Sequence, residues 1–113
     1  MRGSKYHNEK ITVNGETFDS KNEFHRWCEL KLLQRAGKIT GLERQVQFTL
    51  IPAQYVDGKL VEKACTYVAD FVYYEQHDPC IKVVEDVKGV RTEAYRIKRK
   101  LMLQVWGVRI KET

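Results

Sequence analysis

The sequence predicts one α/β domain in which helices flank a mixed β-sheet, and three observations carry that prediction. Three successive runs, "QVQFTLIP", "CTYVADFVYY" and "IKVVEDVKG", are dense in β-branched and aromatic residues and read as strands. A capped helical stretch lies on either side of them. After the second helix, "VRIK" alternates again, and a strand–helix–strand unit of this length makes the last strand parallel to its predecessor.

A chain of 113 residues with 42% apolar content builds one core and is too short for two. Residues 1–10, "MRGSKYHNEK", are polar and basic without apolar period and read as a mobile arm; residues 11–113 form the domain. "ITVNGETF" alternates around Asn14-Gly15, a two-residue hairpin signal. In "DSKNEFHRWCELKLLQRAGK" a helix starts at Ser20, with Glu23 completing a capping box, and stops at Gly37. Phe24, Trp27, Cys28 and Leu32 supply its apolar face.

The first long strand, "QVQFTLIP", closes at Pro52, and "VDGKL" is a turn. The next two strands join across "EQHDPC". "TEAYRIKRKLMLQVW" is the second helix, capped by Thr92 and stopped by Gly107. The order is therefore α-β-β-β-α-β behind an N-terminal hairpin.

Net charge +5 and a pI near 9.2 favour an anionic partner such as nucleic acid. No apolar run approaches the roughly 20 residues that span a bilayer, and no signal pattern opens the chain, so a soluble, cytoplasmic protein with no membrane partner is expected. Cys28, Cys65 and Cys80 form no C-x-x-C pair and are odd in number, so neither a disulfide framework nor a thiolate zinc site is suggested, and reduced, mostly buried thiols are expected. His7, His25 and His77 show no ligand spacing.

The chemistry-bearing stretch is "YVADFVYYEQHDPCIKVVEDVKG". If its hairpin centres near Asp78, Asp70 faces Asp86 with Cβ atoms about 5 Å apart. Val68 and Val72 would flank Asp70 in an apolar stripe, where an unpaired carboxylate is costly. Two facing carboxylates call for a cation or a bound proton, and oxygen-only ligands favour Mg²⁺, with Mn²⁺ able to substitute. Lys88 shares a face with Asp86, within reach of an attacking water or a phosphate oxygen. Glu85 points to the opposite face and becomes the acid only if a bulge intervenes. Two carboxylates, a lysine and a metal describe phosphodiester hydrolysis.

Asp70 followed on the next strand by Asp86-Val87-Lys88 resembles the signature of the PD-(D/E)xK nucleases. The wider pattern "FDSKNEF…ELKLLQRAGKI…YVADFVYY…VVEDVKG…Y.IKRKL" is similar to small phage-encoded endonucleases related to Holliday junction resolvases. The resemblance implies a restriction-endonuclease-like core over about residues 11–112. It implies a metal held by Asp70, Asp86, the carbonyl of Val87 and Glu23, and a catalytic set of Asp70, Asp86, Lys88 and Glu23. Ala69 stands where the family usually has proline, a position of backbone shape that supplies no ligand. The resemblance also implies that residues of the basic helix, with Tyr95, Arg96, Lys98 and Arg99 foremost, contact DNA, joined by Gln45 at the start of the first central strand. The expected activity is structure-selective cleavage of branched DNA in phage or prophage DNA processing, with a possible homodimer.

Duller roles compete with each assignment. Glu23 as a helix cap alone stabilises by roughly 1 kcal/mol. Asp86 and Lys88 alone describe an exposed salt bridge of little worth. Arg91, Arg96, Lys98, Arg99 and Lys100 form an ordinary solvated face. Two other functions fit the residues: a nickase, flap or single-strand nuclease, and a non-catalytic DNA-binding module on a nuclease-like fold.

Overall fold

In the computed structural model the described residues are 9–77, 79–87 and 91–113. Most of the expected arm, the hairpin centre Asp78 and the candidate Lys88 lie outside them. The chain is a mixed α/β domain with two helices and a mixed four-stranded sheet.

Strands β1 (Ile11–Val13) and β2 (Glu16–Phe18) form the first hairpin. Asn14 and Gly15 both take positive φ, as a two-residue turn matched to strand twist requires. Helix α1 (Lys21–Arg35) is capped by Ser20, whose hydroxyl accepts from the Glu23 amide. The Glu23 carboxylate reaches back to the Asp19 amide at 3.0 Å, one residue beyond the usual capping-box donor. At the other end Lys38 N–H bonds Leu33 and Gly37 N–H bonds Gln34, the paired bonds of a Schellman stop.

The buried face of α1 differs from the expected one. Leu30 and Glu23 are buried and Trp27 is half-buried, whereas Leu32 and Cys28 are exposed. The helix meets the sheet along Glu23, Trp27 and Leu30, a stripe rotated from the one that counted apolar residues alone. Cys80 is exposed too and Cys65 is half-buried, which corrects the expectation of buried thiols.

Strand β3 (Ile39–Ile51) begins six residues before the expected start at Gln45. Its early part is interrupted at Gly41, where φ is +66 and an added Cβ would sit 3.2 Å from the Tyr74 ring. The glycine permits this close approach, and the register shifts between Thr40 and Glu43. The turn expected at "VDGKL" is the tip of a short hairpin, β4 (Gln54–Val56) and β5 (Lys59–Glu62), whose seven strand residues are all exposed.

Strand β6 (Cys65–Glu75) pairs antiparallel with β3 on one side and with β7 (Ile81–Asp86) on the other. Helix α2 (Glu93–Leu101) is capped by Thr92 and passes into a π-helical turn over Met102–Trp106, which ends at Gly107. The final strand β8 is only Lys111–Glu112, not Val108–Lys111; Ile110 is instead buried in the core. It pairs parallel to β7, as the strand–helix–strand rule requires, giving the order β3-β6-β7-β8.

Two apolar clusters cover the sheet. Leu30, Ile39, Phe71 and Tyr73 pack with Trp27 on the α1 side. Phe48, Leu50, Tyr67, Ala69, Val72, Val84, Tyr95 and Met102 pack on the α2 side. Residues two apart on a regular strand share a face. Ala69 and Phe71 do not: they lie in different clusters. Arg44 and Val46 part in the same way, since the Arg44 guanidinium lies 3.8 Å from the Phe18 ring centre and Val46 packs in the α2-side cluster. The residues between them, Gln45 and Asp70, mark where both strands change face, and Gln45 makes the change with φ 52.

Candidate active site

Glu23 and Asp70 approach this change of face from α1 and β6. The β6–β7 register pairs Phe71 with Glu85 and Val72 with Val84, and Asp86 follows one residue beyond the last pair. Asp70 Oδ2 accepts from the Val87 amide at 2.8 Å, tying the end of β7 to β6. The apolar stripe expected around Asp70 is broken by the face change: Val72 is buried and Val68 is 43% exposed.

Glu23 arrives from the first turn of α1 and is buried. Its Oε2 accepts from Gln45 Nε2 at 3.0 Å, and the same nitrogen lies 3.5 Å from Asp70 Oδ1. Arg44 Nη2 stands 3.5 Å from the same carboxylate oxygen. Burial, then the nearby Asp70 charge, push the Glu23 pKa above the usual carboxylate range against the pull of the Asp19 amide and Arg44. Glu23 is thus both a cap and a member of the cluster.

Asp86 is buried, and the Tyr67 phenol donates to its Oδ2. Tyr67 was not among the residues singled out by sequence. The available signal was that a buried tyrosine needs a partner for its hydroxyl. Burial and the bond to Asp86 raise the Tyr67 pKa, keeping the phenol a donor.

Glu85 faces the other way, as alternation predicts, and no bulge turns it into the cluster. It is fully buried and takes two bonds from Arg26, one from Tyr73 at 2.6 Å and one from Thr113 at 3.0 Å. Burial alone would raise its pKa, but the Arg26 and Tyr73 hydrogen bonds prevail and hold it below the carboxylate range. Its donors make it a structural anchor between α1 and β7.

The donor set of Glu23, Asp70 and Asp86 is all oxygen, with the Gln45 amide, the positive end of a dipole, set between two of the carboxylates. Oxygen donors are the ligand type that hard cations such as Mg²⁺ and Mn²⁺ take. Among the described residues, no group of three or more acids, histidines or cysteines is placed to hold a metal ion.

A family model described as a protein of unknown function matches residues 3–111, almost the entire chain. The chain belongs to the DUF1064 family. No curated protein and no solved structure matches it significantly.

In this DUF1064 member the residues expected to meet DNA divide. Tyr95 is buried and its phenol donates to Glu112 at 2.6 Å. Arg99 and Arg91 bind the same carboxylate at 2.8 and 3.0 Å. Arg96 is exposed, Lys98 is half-buried, and Gln45 is spent on Glu23 and Asp70. No helix among the described residues is long and apolar enough to cross a membrane.

Proposed function

We propose that this protein is a divalent-metal-dependent DNA endonuclease of the PD-(D/E)xK type. The observation that carries this is the Gln45 amide set between Glu23 and Asp70 where β3 and β6 change face, with Asp86 one residue beyond the last β6–β7 pair, Phe71–Glu85. The succession α1, β3, β6, β7, α2, β8, with β8 parallel to β7, supports a restriction-endonuclease-like core.

Asp70, Asp86, the Val87 carbonyl and Glu23 would hold the cation. When bound, a divalent ion supplies charge for the scissile phosphate and acidifies water. The chain's own residues do the rest. Tyr67 fixes the rotamer of Asp86, and the Val87 amide fixes that of Asp70, so both carboxylates are preorganised. Lys88, two residues after Asp86, would orient the attacking water and place positive charge beside the phosphate oxygens. Net charge +5 favours a polyanionic substrate.

Branched DNA is the substrate we propose, and symmetric cleavage of a four-way junction needs two such sites, as a two-fold dimer would provide. The test is cleavage of a labelled four-way junction, matched duplex and single strand with Mg²⁺, Mn²⁺ or EDTA, beside Asp86→Asn and Lys88→Ala. Paired junction cuts that need metal and vanish in both variants are expected. Cuts confined to duplex or single strand would change the substrate, and DNA binding without any cut would overturn the enzyme in favour of a binding module.

A further inference from the structure

Among the described residues, strand β6 has two neighbours only from Phe71 onward, and Cys65–Ala69 pair with β3 alone. A groove of about 330 Å³ opens along this half-paired stretch, lined by Thr66, Tyr67, Val68, Thr92, Tyr95 and Lys98. It runs along the strand that leads to Asp70, and Thr66 lies roughly 13 Å from Asp70 at the usual strand rise.

The lining sorts by what each group already does. The Tyr67 phenol is committed to Asp86 and the Tyr95 phenol to Glu112, so the two rings are walls. Val68, 43% exposed, gives an apolar floor. Lys98 makes no ion pair among the described residues, whereas Arg91 and Arg99 are bound to Glu112. The Thr66 and Thr92 hydroxyls add hydrogen-bonding capacity.

We infer that this groove receives one nucleotide of a DNA strand, next to the bond held at Asp70, with its phosphate on Lys98 and its sugar on Val68. The inference rests on the nuclease proposal and adds a substrate subsite to it. The volume lies at the small end for ligand pockets, about 300–1,000 Å³, and suits a single nucleotide, not a duplex. A strand free to leave its helix, as at a branch, is what can enter.

The test is fluorescence anisotropy of a labelled duplex with a single-stranded tail, in EDTA, across a salt series. Wild type is compared with Lys98→Ala, Val68→Trp and, past the other end of β6 where the Lys38 carbonyl accepts from Gln76, Lys38→Ala. Lys98→Ala is expected to lower the slope of log affinity against log salt by about one, the signature of one lost phosphate contact. Val68→Trp fills the groove and weakens binding about tenfold. Lys38→Ala leaves both readouts as in wild type. Because Val68 is exposed, its replacement leaves folding intact; should it not, the Lys98→Ala slope decides.

Unchanged slope in Lys98→Ala, with wild type still cleaving junctions in Mg²⁺, would overturn the groove alone. A lost slope without any wild-type cleavage would overturn the nuclease and keep the groove as a nucleic-acid site. No binding by wild type would overturn both.

Discussion

Gln45 donates to Glu23 Oε2 at 3.0 Å from a backbone held at φ 52, so one residue both turns β3 to its other face and binds α1 to the sheet. The left-handed region costs a non-glycine residue on the order of 1 kcal/mol, and the amide offsets that by standing between two carboxylates. Gln45→Ala keeps the unfavourable φ and loses the amide, and should destabilise by about 1–2 kcal/mol. Gln45→Gly loses the amide but relaxes the backbone, so it should lie about 1 kcal/mol above the alanine variant. Urea unfolding of the three proteins decides; glycine no better than alanine would refute the strain.

Burial and Asp70 make the Glu23 carboxyl hold its proton to higher pH in the folded chain than its ordinary 4.5. The native state then binds more protons than the unfolded one, so this group's contribution falls as pH rises from about 4.5 through the raised value. Glu23→Gln cannot ionise there. Its stability relative to wild type should therefore increase from pH 4 to pH 8, read from urea midpoints at both. In the nuclease proposal Mn²⁺ reverses the loss: it should raise the wild-type midpoint at pH 8 and move the variant's less.

The main frame was legible because its signals are local. Ser20 and Thr92 cap as written, Gly37 and Gly107 stop their helices, and Asn14-Gly15 turns the hairpin. The pairing of β6 with β7 followed from the hairpin pattern, and the separation of Asp86 from Glu85 from alternation alone. What was hidden depends on distant partners. A face change at Gln45 and Asp70 leaves no mark in a period-2 pattern, so Val68 was given the burial that belongs to Ala69. The bond from Tyr95 to Glu112 was hidden too, because it spans a crossover that no local pattern covers. The inward face of α1 is hard to read from apolar residues alone because the charged Glu23 is buried on it and Leu32 is not.

Arg26 grips the fully buried Glu85 with two guanidinium nitrogens, and the bonds to Glu85 push the arginine pKa above its usual value despite partial burial. Removing one partner of a buried pair leaves an unbalanced charge. Arg26→Met should cost about 3 kcal/mol, and adding Glu85→Met should recover at least half. Chemical denaturation of the double-mutant cycle measures this. In the nuclease proposal the pair also tests which acid serves the chemistry: the folded fraction of Glu85→Gln should cleave DNA with metal, whereas Asp86→Asn should not.

Glu112 joins β8 to α2 by accepting from Tyr95, Arg99 and Arg91. The Tyr95 bond, aided by both arginines against partial desolvation, lowers its pKa to about 2 from an ordinary 4.5. A depressed acid contributes stability that is complete above the unfolded value and disappears as pH falls through the folded one. Glu112→Gln keeps an acceptor but loses the charge, so it should be less stable than wild type at pH 7 by on the order of 2 kcal/mol. The difference should shrink below pH 4.5 and close near pH 2. Thermal unfolding of both proteins from pH 7 to pH 2 checks it, and a gap that persists to the acid end would mean that packing, not charge, is what Glu112 supplies. Because Tyr95 also walls the groove beside Lys98, the same variant should weaken tailed-duplex binding at pH 7 less than Lys98→Ala does, since it loosens a wall and removes no phosphate contact.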